Sequence, residues 1–384
     1  MKTEFTRLQV EGFRRLRNLD LPLEPLNVLI GANGVGKTSI LEVMSLLASS
    51  ANGRMQEVIS SLGGLSSLLT LDRNQPLRIV LERPVDGHSP LEYELKLAIT
   101  ALGYNLPLER LSQVQNQNLT RPFTYIDSQG IDIRYFDIDK QKLLNPTWDH
   151  HPFETSLSQV PKMYREPEQF RQTLASSTLY HFLDVSPRAP IRLPQQMRPA
   201  SLPGKDGEDL VSCLYFMRET DPDRFETIED TMKAAFPSFE RLTFPPVAAG
   251  SITIAWKERH FSQPLYAHQL SEGTLRFLWL VTLLQSPQLP IVTMIDEPEV
   301  SLHPDMLMLL ADLLREASHR TLLMVATHSD RFVRFLKPTE LVACNLDESG
   351  GTTVTRASEL DLAAWLEDYS LDQLWGMGRL GGRT

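Results

Sequence analysis

The sequence lacks several features that would assign it to a specialised class of protein. Only two of its 384 residues are cysteines, Cys213 and Cys344, and neither has the neighbours of a metal site or a disulfide framework. The longest apolar stretch, Phe277–Leu284, falls far short of the roughly 20 residues that a membrane-spanning helix needs. Met1–Asp20 has no apolar core of the kind found in secretion signals. We therefore expect a cytoplasmic protein with no part in a membrane.

An excess of positive charge is also missing, because 38 Lys and Arg residues stand against 48 Asp and Glu residues, a net charge of −10. This balance argues against a large nucleic-acid-coating surface but not against a local basic patch. Two loose sets of basic residues are candidates for such a patch: Arg331, Arg334 and Lys337 in one, Arg188, Arg192 and Arg198 in the other. A solvated helix face is the favoured interpretation of the first set, and the second is ambiguous.

The order of apolar segments predicts an α/β fold. An apolar strand, Leu26–Ile30, runs into a glycine-rich loop, and a helical pattern begins at Thr38. Near the other end of the chain, the strand Ile291–Ile295, the helix Pro304–Ala317 and the strand Thr321–Ala326 alternate in the same way. Strand-like runs between residues 77 and 139 predict an antiparallel sheet beside this core. Residues 166–182 and 273–285 are predicted to be helical.

The strongest single motif is the loop Gly31-Ala-Asn-Gly-Val-Gly-Lys-Thr38, which fits the P-loop pattern and lies between a strand and a helix. The backbone N–H groups of such a loop cradle phosphates, while Lys37 neutralises the terminal phosphates and the Thr38 hydroxyl binds Mg²⁺. The predicted nucleotide-binding residues are Gly31, Asn33, Gly34, Gly36, Lys37, Thr38 and Ser39. A glycine-rich turn without a ligand is the alternative, and the strand–loop–helix context speaks against it.

Two acidic residues, Asp296 and Glu297, directly follow the apolar strand that begins at Ile291. Open α/β sheets bind ligands at the carboxyl ends of their strands. Asp296 is therefore predicted to hold Mg²⁺, and Glu297 to position and deprotonate the attacking water. An acidic strand end alone is more often a solvated turn, so this prediction depends on the P-loop.

Two further segments point to the same site. Leu270-Ser-Glu-Gly273 precedes a helix, so that Ser271 fits both a helix N-cap and a contact to a γ-phosphate. Ala326-Thr-His-Ser329 ends another apolar strand, which would bring His328 beside the γ-phosphate. A surface or core histidine is the alternative for His328.

Taken together and in this order, the P-loop, Leu270–Gly273, Asp296-Glu-Pro-Glu-Val-Ser-Leu-His-Pro304 and Thr327-His-Ser329 resemble the soluble ABC-type ATPases of the RecF/SMC/OLD branch, and more narrowly its compact bacterial members. The resemblance implies a RecA-like core, a flanking antiparallel β-subdomain and a helical signature lobe. It divides the chain into residues 1–155 and 286–384, the two halves of the nucleotide-binding lobe, and 156–285, the mainly helical lobe. A C-terminal tail docks on this head or on a neighbouring subunit.

The same resemblance implies a head-to-tail homodimer that encloses two ATP-Mg units. Ser271 and Gly273 of one subunit would face the P-loop of the other, and Ser301 would lie in the loop that crosses the interface. Asp296 and Glu297 match the Walker B pair, and His328 matches the switch histidine. Gln159 is our choice for the Q-loop glutamine, with a plain polar residue as an equal alternative. Arg14 or Arg15 matches a basic residue near the nucleotide, although a solvated turn fits them as well.

Some features depart from the wider ABC pattern. Glu272 and Thr274 replace the usual residues of the signature, which argues against a transporter subunit. Heptad repeats are missing between the motifs, and we expect no Toprim nuclease after Ser329. The implied function is ATP hydrolysis by a dimer that acts as a conformational switch in DNA repair, DNA maintenance or anti-phage defence. The alternative is a regulatory ATPase subunit that controls a separately encoded nuclease or toxin, so that DNA and an effector protein are both candidate partners.

Overall fold

The computed structural model describes residues 3–71, 75–101, 103–114, 122–137, 140–362 and 365–381. Within these ranges the strands are β1 (Arg7–Glu11), β2 (Leu19–Pro22), β3 (Leu26–Ile30), β4 (Leu77–Val85), β5 (His88–Thr100), β6 (Gly103–Gln113), β7 (Phe123–Gln129), β8 (Asp132–Asp137), β9 (Lys142–Leu144), β10 (Thr178–Tyr180), β11 (Gln195–Gln196), β12 (Phe239–Thr243), β13 (Ser251–Ile252), β14 (Ala255–Glu258), β15 (Leu265–Tyr266), β16 (Val292–Asp296), β17 (Leu322–Thr327), β18 (Leu341–Leu346) and β19 (Thr352–Arg356). The α-helices are α1 (Lys37–Ala51), α2 (Met55–Ser61), α3 (Leu65–Leu68), α4 (Arg165–Ala175), α5 (Leu210–Thr220), α6 (Pro222–Ala235), α7 (Glu272–Gln285), α8 (Pro304–Ser318), α9 (Asp330–Val333) and α10 (Leu371–Gly376).

The core sheet has six strands in the order β10-β16-β17-β3-β18-β19, and all neighbours are parallel except the last pair. Its central strands are apolar throughout because both faces of the sheet are covered. On β17, for example, Leu323 and Val325 pack into one core, whereas Met324 and Ala326 pack into the other. The α/β fold predicted from the sequence is thus confirmed. The parallel order also brings the carboxyl ends of β3, β16 and β17 to one edge.

The second sheet has eight strands in the order β2-β1-β4-β5-β6-β7-β8-β9, and every neighbouring pair is antiparallel. A buried carboxyl, Glu109 on β6, connects this sheet to the following segment. It accepts hydrogen bonds from the Tyr93 hydroxyl (2.9 Å) and from the backbone N–H groups of Ser156 (2.5 Å) and Leu157 (2.8 Å). Burial raises the pKa of Glu109 above its ordinary value. Residues 138–139, at the end of the predicted strand region, lie outside the described residues.

Helices α5, α6 and α7 share the first core with the strands around Trp256, and the C-terminal tail packs onto the same core. In the tail, Leu371, Leu374 and Trp375 are buried, while the guanidinium of Arg379 stacks on Trp365. None of the helices in the described ranges has both the length and the apolar character that a membrane crossing requires.

One predicted element is different in the structure. Residues 166–182 were expected to be helical, but α4 ends at Ala175 and Thr178–Tyr180 form the edge strand β10. This strand pairs in parallel with β16, with Tyr180 opposite Ile295. The cause is the β-favouring run Thr-Leu-Tyr, which gains ladder hydrogen bonds beside a fully buried strand. The predicted helical lobe of residues 156–285 therefore contributes a strand to the core sheet. The lobe boundaries at 155 and 285 stay a prediction.

Candidate nucleotide site

The glycine-rich loop between β3 and α1 has a backbone that only glycine can supply at its tightest points. Gly36 has φ of +105°, and a Cβ atom at this position would lie 2.5 Å from Oγ1 of Thr352. The same Thr352 hydroxyl donates a hydrogen bond to the carbonyl of Val35 over 2.7 Å. A residue on β19 thus fixes the loop just before α1 begins. The N–H groups at this helix start are available to an anion because no side chain caps them.

Lys37 is the first residue of α1, and its ammonium group folds back over the loop. Nζ donates to the carbonyl oxygens of Gly31 (2.7 Å) and Ala32 (2.9 Å). Burial lowers the pKa of Lys37, and the carboxylates of Glu297 and Asp296 partly oppose this shift. A cation that donates to neutral carbonyl groups gains strongly from an anionic partner. The position of Lys37 therefore suits the terminal phosphates of a nucleotide.

Thr38 and Asp296 provide the oxygen atoms for a metal ion. The Thr38 hydroxyl lies 3.2 Å from Oδ2 of Asp296, which ends β16. Burial raises the pKa of Asp296, and the hydrogen bond from Thr38 counteracts it. The described residues contain no group of three or more His, Cys, Asp and Glu that could hold a metal ion. One hydroxyl and one carboxylate nevertheless fit Mg²⁺, which takes its other ligands from phosphates and water.

Glu297 and His328 lie next to this pair. Nδ1 of His328 is 2.9 Å from Oε1 of Glu297, and both side chains are nearly half exposed. The backbone supports the contact, because the N–H of Glu297 donates to the carbonyl of Ala326 over 2.8 Å. Glu297 also has φ of +52°, which is uncommon for a residue with a side chain. Such backbone strain is typical of active sites, where the fold holds a side chain in one direction.

A second set of predicted residues meets at the N-terminus of α7. Ser271 is the N-cap of α7, and its Oγ accepts a hydrogen bond from the N–H of Thr274 over 3.2 Å. A Cβ atom on Gly273 would lie 2.6 Å from the carbonyl oxygen of Ser301. Ser301 has φ of +64°, so that its carbonyl points at the start of α7. The signature residues and Ser301 therefore make one surface within the same chain.

Arg192 holds the segment that precedes Ser271. Its guanidinium donates to the carbonyl oxygens of Ala267 (3.3 Å), His268 (3.4 Å) and Leu270 (2.9 Å), the segment that leads into Ser271. Arg198, from the same predicted basic set, pairs with Asp209. These two side chains have internal partners, which weakens the interpretation of the set as a nucleic-acid contact.

The structure does not bring Gln159 to the phosphate loop. Its side-chain amide is hydrogen-bonded to the backbone of His151, Glu154 and Thr155, which it holds in a turn. Its neighbour Ser158 lies against Gly53, just after the end of α1. The P-loop is at the opposite end of this helix of 15 residues, about 22 Å away at 1.5 Å per residue.

The residue that does lie at the nucleotide edge is His181, which the sequence analysis missed. It follows β10, whose last residue, Tyr180, is level with Ile295 on β16. His181 is therefore placed beside Asp296. Burial raises the pKa of both Asp296 and Glu42, and the electrostatic interaction with His181 partly opposes each shift. His181, Asp296 and Glu297 line one small cavity. The signal for His181 in the sequence is the short run Thr-Leu-Tyr before the histidine, which lies at the end of the predicted helix.

Arg14 and Arg15 lie close to the phosphate loop and to the helix α1 that follows it. Arg14 forms an ion pair with Glu42 of α1. The backbone carbonyl of Arg15 accepts a hydrogen bond from Thr352, the residue that fixes the P-loop (2.8 Å). Arg14 thus contacts the helix that follows the phosphate loop, and Arg15 contacts a residue that fixes this loop. A role of either arginine at the nucleotide stays a prediction.

Sequence comparison finds short, close similarities. The chain is 54% identical over 41 residues to an OLD nuclease of Thermus scotoductus, a match of 11% of this chain and 8% of the nuclease. It is also 54% identical over 43 residues to the DNA replication and repair protein RecF of Enterobacter sp. strain 638, covering 11% and 12% of the two chains. The matched part is thus about a tenth of the length of these relatives.

Structural similarity extends over the whole chain. An SMC head solved with the C-terminal winged-helix domain of ScpA aligns with a TM-score of 0.56 and 13% identity, covering 94% of this chain and 99% of the other. An SMC head with an extended coiled coil, bound to the C-terminal domain of ScpA from Pyrococcus furiosus, aligns with a TM-score of 0.51 and 11% identity, covering 97% and 98%. At these identities the likeness establishes the fold.

A family model settles the membership. Residues 26–334, from β3 to just beyond α9, match the family described as "AAA domain, putative AbiEii toxin, Type IV TA system". This range contains the P-loop, the signature segment, Asp296, Glu297 and His328. The chain therefore belongs to this family, and it is an ABC-type ATPase of the RecF/SMC/OLD branch.

Proposed function

We propose that the chain hydrolyses ATP with Mg²⁺ in a head-to-tail homodimer, and that the closed dimer is a conformational switch. The observation that carries this proposal is the contact between His328 and Glu297 beside the Thr38–Asp296 pair. It combines a base, a group that orients this base and a metal-binding pair at the end of a phosphate-binding loop. These are the parts that hydrolysis of a phosphoanhydride requires.

The proposed reaction uses the residues of one chain as follows. Loop N–H groups hold the phosphates, and Lys37 neutralises the β- and γ-phosphate oxygens. A bound Mg²⁺ held by Thr38 and Asp296 would supply charge stabilisation to those oxygens. Glu297 accepts the proton of a water molecule as the water oxygen bonds to the γ-phosphorus and the bond to the ADP oxygen breaks, which yields ADP and phosphate. His328 keeps the Glu297 carboxylate in place, and we infer that His181 lies beside the attacking water.

The surface at the N-terminus of α7 supports the proposed dimer. Ser271, Gly273 and Ser301 form one surface at the N-terminus of α7. The partial positive charge of a helix N-terminus favours an anion, and α7 has 14 residues to build this charge. In a head-to-tail pair, each such surface would complete the γ-phosphate site of the other subunit. A monomer would lack these contacts.

A test of this proposal is the dependence of turnover on protein concentration. If the site is completed by a second copy, phosphate release per chain rises with concentration until the dimer is saturated. If one chain forms the whole site, phosphate release per chain stays constant. The Lys37→Ala variant measures the background from contaminating ATPases. A constant specific activity well above this background contradicts the dimer.

For the cellular role we propose DNA repair, DNA maintenance or anti-phage defence, because matched relatives are a RecF protein described for DNA replication and repair and an OLD nuclease. A regulatory ATPase subunit that controls a separate nuclease or toxin is the second candidate. It is favoured by the similar SMC heads, which were solved with a domain of another protein bound. Turnover with and without duplex DNA, and purification from native cells, separate the two. DNA-stimulated turnover without a protein partner supports the first, and a stoichiometric protein partner supports the second.

A further inference from the structure

Glu299 and Thr327 form a buried pair for which the proposed mechanism has no task. Thr327 ends β17 just before His328, and its Oγ1 donates a hydrogen bond to Oε1 of Glu299 over 2.5 Å. The same hydroxyl oxygen accepts a hydrogen bond from the N–H of Ser329 over 3.0 Å. Thr327 is fully buried, and Glu299 is 8% exposed. The Thr327 hydroxyl thus connects the residues before and after His328, because it belongs to Thr327 and accepts from the N–H of Ser329.

The burial of the Glu299 carboxyl is unfavourable for the stability of the folded state. Burial raises the pKa of Glu299, and its second oxygen, Oε2, is buried without a hydrogen-bond partner among the described residues. A buried polar atom without a partner costs free energy that an apolar side chain of similar size would not. Stability alone is therefore a poor reason for a glutamate at this position.

The Glu299–Thr327 hydrogen bond is one of the contacts that connect the two segments carrying Glu297 and His328. The loop after β16 is joined to the end of β17 at two points: by the backbone bond from Glu297 to Ala326 and by the side-chain bond between Thr327 and Glu299. Between these two points, the side chains of Glu297 and His328 face each other at 2.9 Å. Loss of the second connection would leave only the backbone bond to hold the two loops in register.

We propose that Glu299 is a positioning residue, which acts through Thr327 to hold His328 against Glu297. The proposal rests on the proposed ATPase mechanism and adds a residue that controls its hydrolysis step. Glu299 has no part in phosphate or metal binding, because these depend on Lys37, Thr38 and Asp296. Its loss should therefore lower kcat and leave ATP affinity unchanged.

Substitution at position 327 tests this directly. Thr327→Val keeps the shape of the side chain but removes the hydroxyl, and we expect kcat to fall about tenfold to hundredfold, the effect of a small misplacement of a catalytic group. The Kd for ATP should stay within about twofold of wild type, since the phosphate-binding groups are untouched. Thr327→Ser restores the hydroxyl and should recover most of the turnover.

Thr293→Val is a matched control, because Thr293 is equally buried and its hydroxyl is bonded to the Pro290 carbonyl and to Thr321, at the opposite end of the neighbouring strand. This variant should lower the melting temperature and leave kcat at the wild-type value. At position 299, Glu299→Gln keeps an oxygen that can accept from Thr327, whereas Glu299→Ala does not. We expect the glutamine variant to retain turnover and the alanine variant to match Thr327→Val. The double variant Glu299→Ala/Thr327→Val should be no slower than the slower single variant.

The positioning role is overturned if folded Thr327→Val hydrolyses ATP as fast as Thr293→Val, or if Glu299→Gln is as slow as Glu299→Ala. If Thr327→Val does not fold, the comparison of the two Glu299 variants decides alone. Glu297→Gln separates the two proposals. Unchanged turnover in Glu297→Gln contradicts the ATPase mechanism itself, whereas a slow Glu297→Gln with a fast Thr327→Val contradicts only the role of Glu299.

Discussion

Thr38, on the first turn of the P-loop helix, donates its hydroxyl hydrogen bond to Oδ2 of Asp296, 258 residues further along the chain, over 3.2 Å. This bond joins the phosphate-binding half of the site to the acidic half. The parallel pairing of β16, β17 and β3 makes this bond possible, since their carboxyl ends lie at one edge.

Lys37→Ala should abolish tight ATP binding. Removal of a charge-assisted bond to phosphate costs about 1.5–3 kcal/mol, so that the Kd rises about tenfold to hundredfold. Titration with a fluorescent ATP analogue measures the effect. Lys142→Ala is the control, because Lys142 is exposed on β9 of the antiparallel sheet. Equal affinities of the two variants would contradict the assignment of Lys37.

His328→Ala should slow hydrolysis without a comparable loss of binding. The alanine leaves Glu297 without the imidazole at 2.9 Å, and we expect kcat to fall about a hundredfold, the lower range for loss of an acid–base group. Steady-state phosphate release gives kcat and KM. His319→Ala, at an exposed histidine just after α8, should behave as wild type. A fall in kcat shared by both variants would point to instability rather than catalysis.

Gly273→Ala should impair turnover in a different way. The added Cβ would meet the Ser301 carbonyl at 2.6 Å and push that loop out of the proposed interface. Alanine is also a better helix former than glycine by about 1 kcal/mol, so the fold should be retained. ATP binding by the single chain should be unchanged, and turnover at saturating ATP should fall at least about tenfold, the order of loss expected when reacting groups are misplaced. Wild-type turnover would exclude this surface from the site.

Glu109→Gln tests a pH dependence in the antiparallel sheet. Burial raises the pKa of Glu109 above the ordinary 4.5, so the folded state binds its proton more tightly than the unfolded state. The resulting stabilisation is complete below pH 4.5 and is lost as the pH rises through the folded-state pKa. The wild type should therefore lose melting temperature relative to Glu109→Gln as the pH is raised from about 4.5 towards neutrality. A difference that is constant over this range, or grows with pH, would contradict the shift.

Much of the site was predictable because its motifs are local. Gly31–Thr38 needs only its own strand, loop and helix, and Asp296 and Glu297 follow a strand whose apolar run is plain in the sequence. His328 follows from the same pattern on the next strand. The antiparallel sheet and the tail that packs on the core were also foreseen.

The sequence predictions fail where the local structure depends on contacts with distant parts of the chain. β10 has three residues, too few for a periodic signal, and it is a strand only because β16 lies beside it. This misassignment hid His181. The approach of Gly273 to Ser301 joins residues from two loops, and the clamp of Glu299 on Thr327 joins a loop to a neighbouring strand. Neither contact has a pattern in the sequence, because both depend on how the elements pack.

The most direct test of the central claim is the mass of the Glu297→Gln variant in solution with ATP and Mg²⁺. Without the base, ATP should bind and remain uncleaved, so that the closed dimer accumulates. Light scattering of Glu297→Gln with ATP should then give twice the chain mass of 43.6 kDa. The double variant Glu297→Gln/Gly273→Ala should give the mass of a single chain. A Glu297→Gln chain that binds ATP and remains at 43.6 kDa at every concentration would contradict the composite site.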